Sequence, residues 1–185
     1  HGTVVAPAAG ASQAAETTDL EDEVLAAVTL GARRTYGQDP RFGLSVLAEI
    51  ASRALSPATN DSGTVIDVIG RGVRCFSTWA RQAPDTTTDG QWQNVHVRGL
   101  TVDDMFDDFF TLIARDGAGL LEVDIRLVKA LASLAQIAPD RFGQACITHV
   151  DLLLKRAEQA LPLEEDKQRL RALVRSLEWP LALLS

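Results

Sequence analysis

The stretch "RALSPATNDSGTVIDVIGR", residues 53–71, separates two segments that have the apolar periodicity of α-helices. Pro57 disfavours helical geometry in Ser56, so the first of these helices must end near that residue. The second helix has several possible N-terminal caps. They are Asn60, Asp61, Ser62, and Thr64 with Asp67 as its capping box. The stretch therefore predicts a helix, a tight corner and a second helix.

Similar helical segments occupy most of the remaining sequence. The seven segments are residues 18–37, 39–55, 64–83, 101–117, 120–138, 141–161 and 163–179. Aromatic residues make up only 5% of the chain, which favours helix-on-helix packing over a sheet sandwich. We therefore expect a mostly α fold, an orthogonal or antiparallel bundle of about seven helices.

One domain is enough to account for the length of the chain. We expect residues 18–185 to form a single helical domain, because 185 residues can enclose one sizeable core. Residues 1–17 are rich in Ala and Gly and lack a helical period, so we interpret them as a mobile lead-in. Residues 3–6 and 95–98 could pair as one small two-stranded β element.

The apolar periodicity also predicts which side chains are buried. Before the corner these are Phe42, Val46, Leu47, Ile50 and Ala54. After the corner they are Val65, Val68, Ile69, Cys75, Phe76 and Trp79. Further along the chain, a stripe contains Leu120, Leu127, Leu131 and Leu134. The two cysteines, Cys75 and Cys146, fit no zinc or redox spacing, so we interpret both as buried free thiols.

The charge of the chain is acidic but uneven. A net charge of −7 argues against non-specific binding of nucleic acid. Residues 33–81, which contain the corner, nevertheless carry seven arginines and four acids, a local charge of +3. The sequence contains no run of about 18 apolar residues, which is the length that a membrane-spanning helix needs. Because the chain does not begin with Met, we interpret it as a piece of a longer protein.

The acidic run "DDMFDD" is the most conspicuous candidate for chemistry. Asp103, Asp104, Asp107 and Asp108 have helical spacing, so some of them share a face that could hold Mg²⁺ against a diphosphate. The alternative is an acid-rich helix start with Thr101 as its cap, and we favour it because no matching second metal motif occurs. His149 lies within a helical stripe and has no metal-ligand spacing to other residues. We therefore expect no metal and no cofactor.

Two interpretations of the corner remain open. In the structural one, Arg53, Arg71 and Arg34 pair with Asp39, Asp61 and Asp67 and fix the corner. In the functional one, the same arginines, with Asn60 and a helix N-terminus, bind an anion. Ser56, Asn60 and Asp61 are in either case the residues whose side chains can rebuild the turns.

Residues 33–71 resemble the signature of a bacterial family of predicted membrane proteins, domain of unknown function 2254. The matching residues are Arg34 and Thr35, Gln38 and Asp39, Phe42 to Leu44, Ala54 to Pro57, and Asn60 with Asp61. The segment "HGTVVAP" resembles the Gly-x-x-Val segment of the family. The chain departs from the pattern at Ser62, where the family has Pro.

The resemblance implies a soluble domain that follows membrane spans in a protein of unknown function. We expect a structural, regulatory or assembly role rather than catalysis, tethering to the membrane with the domain on the cytoplasmic side, and a homo-oligomer. An anion sensor is the alternative. Its candidate ligand-binding residues are Arg34, Thr35, Gln38, Asp39, Arg53, Ser56, Asn60, Asp61 and Arg71.

Overall fold

A computed structural model of the chain describes residues 39–82 and 99–179. The expected helix at 18–37, the lead-in at 1–17 and the expected strand pair at 3–6 and 95–98 lie outside the described residues. The described part is a mostly α multi-helix bundle, as predicted, and contains no strand. Its helices are α1 (Pro40–Ala54), α2 (Ser62–Arg81), α3 (102–116), α4 (Leu121–Ile137), α5 (Pro139–Ala160) and α6 (Glu164–Ser176).

Helix α1 begins where its sequence favours a start. The Asp39 carboxylate accepts the Phe42 N–H at 3.0 Å, and Pro40 occupies the first helical turn. The helix ends before Pro57, as predicted. Its buried face is different from the predicted one, because Leu44, Ala48, Ala51 and Ala54 face the core. The prediction was right for Ala54 and wrong for Ile50, which is 44% exposed, while Phe42, Val46 and Leu47 are half-buried.

Helix α2 begins at Ser62, before the start that the predicted Thr64 capping box would give. Asp61 is the N-cap and accepts the Thr64 N–H, so Asp61 is the correct choice among the predicted caps. Val65, Val68, Ile69 and Phe76 are buried as predicted, and Trp79 is half-buried. Cys75 was wrongly predicted to be buried, because it is exposed at the edge of the inward face.

Helix α3 changes its winding in the middle. It consists of an α-helical segment (Val102–Phe106), a π-helical turn (Asp107–Thr111) and a second α-helical segment (Leu112–Asp116). The Thr101 hydroxyl accepts the Asp104 N–H at 3.1 Å, as the predicted capping requires. The π-helical turn directs the neighbouring Phe109 and Phe110 into the core, where both are fully buried.

The core has two parts with different composition. Helix α4 packs against α2, α5 and α6 and supplies the predicted aliphatic stripe of Leu127, Leu131 and Leu134. At the other end lies a cluster of phenylalanine rings whose centroids are 4.7–6.1 Å apart around Phe76. Its members are Phe76, Phe106, Phe109, Phe110 and Phe142. A chain with few aromatic residues therefore concentrates them at one point, where α2, α3 and α5 meet.

Candidate functional site: the α1–α2 corner and the adjacent groove

The corner between α1 and α2 is closed by backbone hydrogen bonds. The Asn60 N–H donates to the Ser56 carbonyl and the Asp61 N–H donates to the Ala54 carbonyl, both at 2.8 Å. Asn60 has φ 45°, in the left-handed region that Asn tolerates better than most residues. The run "SPATND" therefore reverses the chain through local bonds, as the sequence indicated.

The N-terminus of α2 already carries a negative group. The Asp61 carboxylate accepts hydrogen bonds from both the N–H and the hydroxyl of Thr64. These bonds stabilise the ionised form, so they lower the pKa of Asp61. The position at which an anion would contact the helix N-terminus is thus next to a carboxylate of the protein itself.

The arginines beside the corner belong to ion pairs within single helices. Arg53 lies 3.4 Å from Glu49 within α1, and Arg71 lies 2.7 Å from Asp67 within α2. The Arg71–Asp67 pair was predicted, but neither pair joins the two helices. Both pairs are solvent-exposed and contribute little to stability. Three further predicted site residues, Arg34, Thr35 and Gln38, lie outside the described residues, so the anion site stays a prediction.

The aspartate row divides between two partners. Arg41 of α1 contacts Asp104 at 3.2 Å and Asp108 at 2.5 Å, whereas Asp107 faces α5 and Asp103 is exposed. The four carboxylates therefore do not converge on one point. Within residues 39–82 and 99–179, no group of three or more His, Cys, Asp or Glu residues could hold a metal ion.

His149 has an environment that the sequence did not indicate. Its ring is 6% exposed and lies beside both Phe106 and Phe110, with centroid distances of 5.8 and 5.9 Å. Its Nε2 atom is 3.5 Å from the Asp107 carboxylate. Burial lowers the pKa of His149, while Asp107 opposes that shift.

A groove of about 600 Å³ lies between α1, α2 and the start of α3. Its inner wall is apolar and includes the buried residues Leu44, Phe76 and Met105. Polar side chains, among them the exposed Arg74 and Thr78, lie at its edge. The full lining is Pro40, Gly43, Leu44, Leu47, Arg74, Cys75, Phe76, Thr78, Trp79, Gln82, Leu100 and Met105. No motif could have indicated this groove, because its residues come from three separate parts of the sequence.

One wall of the groove is held in place by α5. The Arg141 guanidinium lies 4.0 Å from the centre of the Trp79 ring and donates a hydrogen bond of 2.8 Å to the Trp79 carbonyl. Trp79 is thereby fixed at the C-terminal end of α2. The groove is consequently a preformed feature on at least this side.

The groove is also adjacent to the parts of the chain that the structure does not describe. Pro40 follows directly on the described start at Asp39, Gln82 is the last residue before the gap at 83–98, and Leu100 comes just after that gap. Three chain ends therefore lie at one surface.

The described residues define a class: a mostly α multi-helix bundle with an apolar groove beside a capped helical corner. The chain belongs to the family described as Predicted membrane protein (DUF2254), which matches residues 1–133. The resemblance found in the corner sequence is thereby confirmed. In the described residues, no helix combines the length and apolar character needed to cross a membrane.

Similar curated proteins come from mycobacteria and are uncharacterized themselves. One is from Mycobacterium bovis and two are from strains of Mycobacterium tuberculosis. Each is 45% identical to this chain over 60 residues, which is 32% of this chain and 12% of the relative. The match thus spans about an eighth of those proteins. No solved structure matches the chain.

Proposed function

We propose that this chain is the assembly module of a membrane protein and that its groove receives an amphipathic helix of the same protein. The observation that carries the proposal is the apolar groove of about 600 Å³ on a chain with a net charge of −7. Soluble surfaces rarely leave an apolar concavity of this size without a binding role. The membrane tether belongs to the proposal and rests on the family description.

The chemistry of the lining favours a helix over a small polar ligand. Leu47, Phe76 and Met105 offer apolar contacts, while polar groups are confined to the edge. An amphipathic helix inserts a row of apolar side chains and keeps its polar face in water. Each apolar side chain buried in this way contributes about 1.5–3 kcal/mol before the cost of ordering the helix.

The cysteines support a cytoplasmic position for the domain. Cys75 is an exposed free thiol on the groove, and Cys146 is a buried free thiol. Free thiols are retained in the reducing cytosol whether or not a helix covers them, whereas oxidising compartments favour disulfides. We therefore place the proposed module on the cytoplasmic face of the membrane.

A homo-oligomer is compatible with this function only if a second copy supplies the helix. The helix in the groove comes either from a second copy of the chain or from the same protein molecule. Light scattering of the full chain over a range of concentrations distinguishes these two arrangements. A monomer at high concentration would contradict self-association and leave a helix of the same chain or of the membrane part as the occupant.

The accessibility of Cys75 tests whether the groove is filled. The full chain is treated with N-ethylmaleimide, and the alkylation rate of Cys75 is measured by mass spectrometry. The matched control is Gln159→Cys in a Cys75→Ser background, because Gln159 is exposed and far from the groove lining. Burial raises the pKa of the Cys146 thiol to about 12, so Cys146 does not contribute to the reaction.

A helix in the groove covers Cys75. We expect its alkylation to be at least about tenfold slower than that of the control thiol, as for a group that reacts only after local opening. Equal rates for the two thiols would show that the groove is open and would overturn the proposed function.

A further inference from the structure

We infer that the helix received by the groove is formed by the chain's own residues 18–37. The inference rests on the proposed function, because it names the occupant of the same groove. Four observations support it: the point at which the chain enters α1, the apolar stripe along α1, the sequence of residues 18–37 and the charge around the groove.

The chain enters the described structure at the groove itself. Asp39 caps α1, and Pro40, the next residue, lines the groove. Two residues of extended chain span at most about 7 Å, so residue 37 cannot lie far from the groove edge. A helix that ends at residue 37 is therefore delivered to this surface without a long linker.

Helix α1 has apolar side chains on a second side that the described residues leave partly uncovered. Gly43 and Leu47 line the groove, and Ile50 follows one turn later with 44% exposure. The three positions share one face of α1, since they are spaced by four and three residues. They extend the groove into a stripe along the helix, as expected for a surface that packs against another helix.

Residues 18–37 have the matching pattern. With 3.6 residues per turn, Leu20, Val24 and Val28 fall on one face, and Asp22 and Thr29 fall on the opposite one. A helix of about 20 residues is about 30 Å long, which is enough to cover both the groove and the stripe. The large apolar side chains of that face, Leu20 to Val28, extend over about 12 Å of this length.

The charges are complementary. Arg74 supplies an exposed cation at the groove edge. Residues 18–37 begin with four acids. They are Asp19, Glu21, Asp22 and Glu23. Acids at a helix start also suit the positive end of its dipole, so the same residues favour the helix and its docking.

Disulfide trapping in the full chain tests the inference. Val24→Cys and Val28→Cys each place a thiol on the apolar face, with native Cys75 as the partner on the groove. Thr29→Cys places a thiol on the opposite face and is the matched control. After mild air oxidation, non-reducing digestion and mass spectrometry identify the pairs, and light scattering identifies monomers.

We expect a disulfide with Cys75 within the monomer from at least one apolar-face variant, with a yield at least about tenfold higher than from Thr29→Cys. Only pairs with a Cα–Cα distance of about 4.4–6.8 Å can close a disulfide without distortion, so two positions are tested. Cys75→Ser in the linking variant must abolish the product. We expect the variants to fold, because Val→Cys retains an apolar side chain. Thermal melting of each variant before oxidation checks this.

The remaining outcomes separate the two proposals. Links that form only between two molecules would make a second copy the occupant, overturning the inference while supporting the assembly function. If Cys75 is protected from maleimide but forms no link to positions 24 or 28, the groove is filled by another segment, such as residues 83–98. That result would overturn the inference and support the assembly function. Free alkylation of Cys75 together with no link would overturn both.

Discussion

The ring of Phe109 in α3 lies so close to the backbone of Gly72 in α2 that a Cβ atom at position 72 would overlap it. Both residues are buried. The π-helical turn sets the position of Phe109, and the missing side chain of Gly72 makes room for it. This contact fixes how closely α2 and α3 approach each other, and with them two walls of the groove.

Gly72→Ala is therefore expected to destabilise the protein. Alanine is the better helix former by about 1 kcal/mol, but overpacking a core costs about 1–3 kcal/mol, and the Phe109 ring is fully buried against Phe76 and Phe110. We expect a net loss of up to about 2 kcal/mol, or a fall in Tm of up to about 8 °C. Urea denaturation and thermal melting measure the loss.

Gly70→Ala is the matched control on the same helix. Its nearest neighbour would be the flexible end of the Arg126 side chain at 3.2 Å, so the gain in helix propensity is retained. If Gly72→Ala proves as stable as Gly70→Ala, the contact with Phe109 does not limit the helix spacing.

Local features of the fold could be predicted from the sequence. Pro57 ended α1, Asp61 was among the predicted caps of α2, and Thr101 capped α3, because these features depend on residues within one turn. The exposure of Cys75 and the groove depend on how α1, α2 and α3 pack. Neither can be derived from a periodic pattern that only shows which residues share a face.

The candidate site shows the same division. The hydrogen-bonding role of Ser56, Asn60 and Asp61 follows from the residue types. The partners of the charged residues do not. Arg41 pairs with an aspartate 67 positions away in the sequence, whereas Arg53 pairs with its neighbour one turn earlier. Long-range ion pairs have no sequence pattern, so the sequence could not indicate that Arg41 is the partner of the aspartate row.

Asp124 is expected to make stability depend on pH. It is fully buried, and neither carboxylate oxygen has a hydrogen-bond partner among the described residues. Burial, with the nearby charge of Glu122, raises the pKa of Asp124 from 3.8 to about 8. The folded state therefore holds a proton that the unfolded state has released, and the free energy of unfolding falls as pH rises between about 4 and about 8.

Asp124→Asn removes this titration and keeps the shape of the side chain. We expect the variant to gain stability relative to the native chain across that pH range, by up to about 1.4 kcal/mol per pH unit. Urea denaturation at several pH values measures the difference. Glu165→Gln, at an exposed position of α6, is the control and should give a constant difference. A constant difference for Asp124→Asn as well would show that the Asp124 pKa is not raised.

The charge of Asp107 is expected to act on the titration of His149. Burial lowers the pKa of His149, and the Asp107 carboxylate raises it. Asp107→Asn is therefore expected to lower the pKa of His149 further, measured from its ring resonances by NMR. Asp103→Asn is the control, because Asp103 has the smaller effect on the same pKa.

His149 makes stability depend on pH in the opposite direction to Asp124. A lowered pKa of His149 means that the unfolded state binds the proton more readily, so stability is lost as pH falls below the ordinary histidine pKa of about 6.5. Asp107→Asn should enlarge that acid loss. An unchanged His149 titration would mean that Asp107 does not act on the ring at its distance of 3.5 Å.

Arg41 connects the start of α1 to the aspartate row of α3. It contacts Asp104 and Asp108, which lie one helical turn apart, so its removal takes away a cation that two neighbouring carboxylates share. The side chains are 37%, 32% and 22% exposed, so solvent screens part of the interaction. We expect Arg41→Ala to lower the free energy of unfolding by about 1 kcal/mol in dilute buffer, and by less in about 1 M salt.

Arg53→Ala is the matched control, since Arg53 also pairs with an acid but is 82% exposed and stays within α1. It should cost no more than about 0.5 kcal/mol. Arg41→Lys keeps the charge but cannot present a planar fork to two acceptors. Its loss of free energy of unfolding should therefore fall between those of Arg41→Ala and Arg53→Ala. If Arg41→Ala loses no more than Arg53→Ala and shows no salt dependence, the aspartates do not need Arg41.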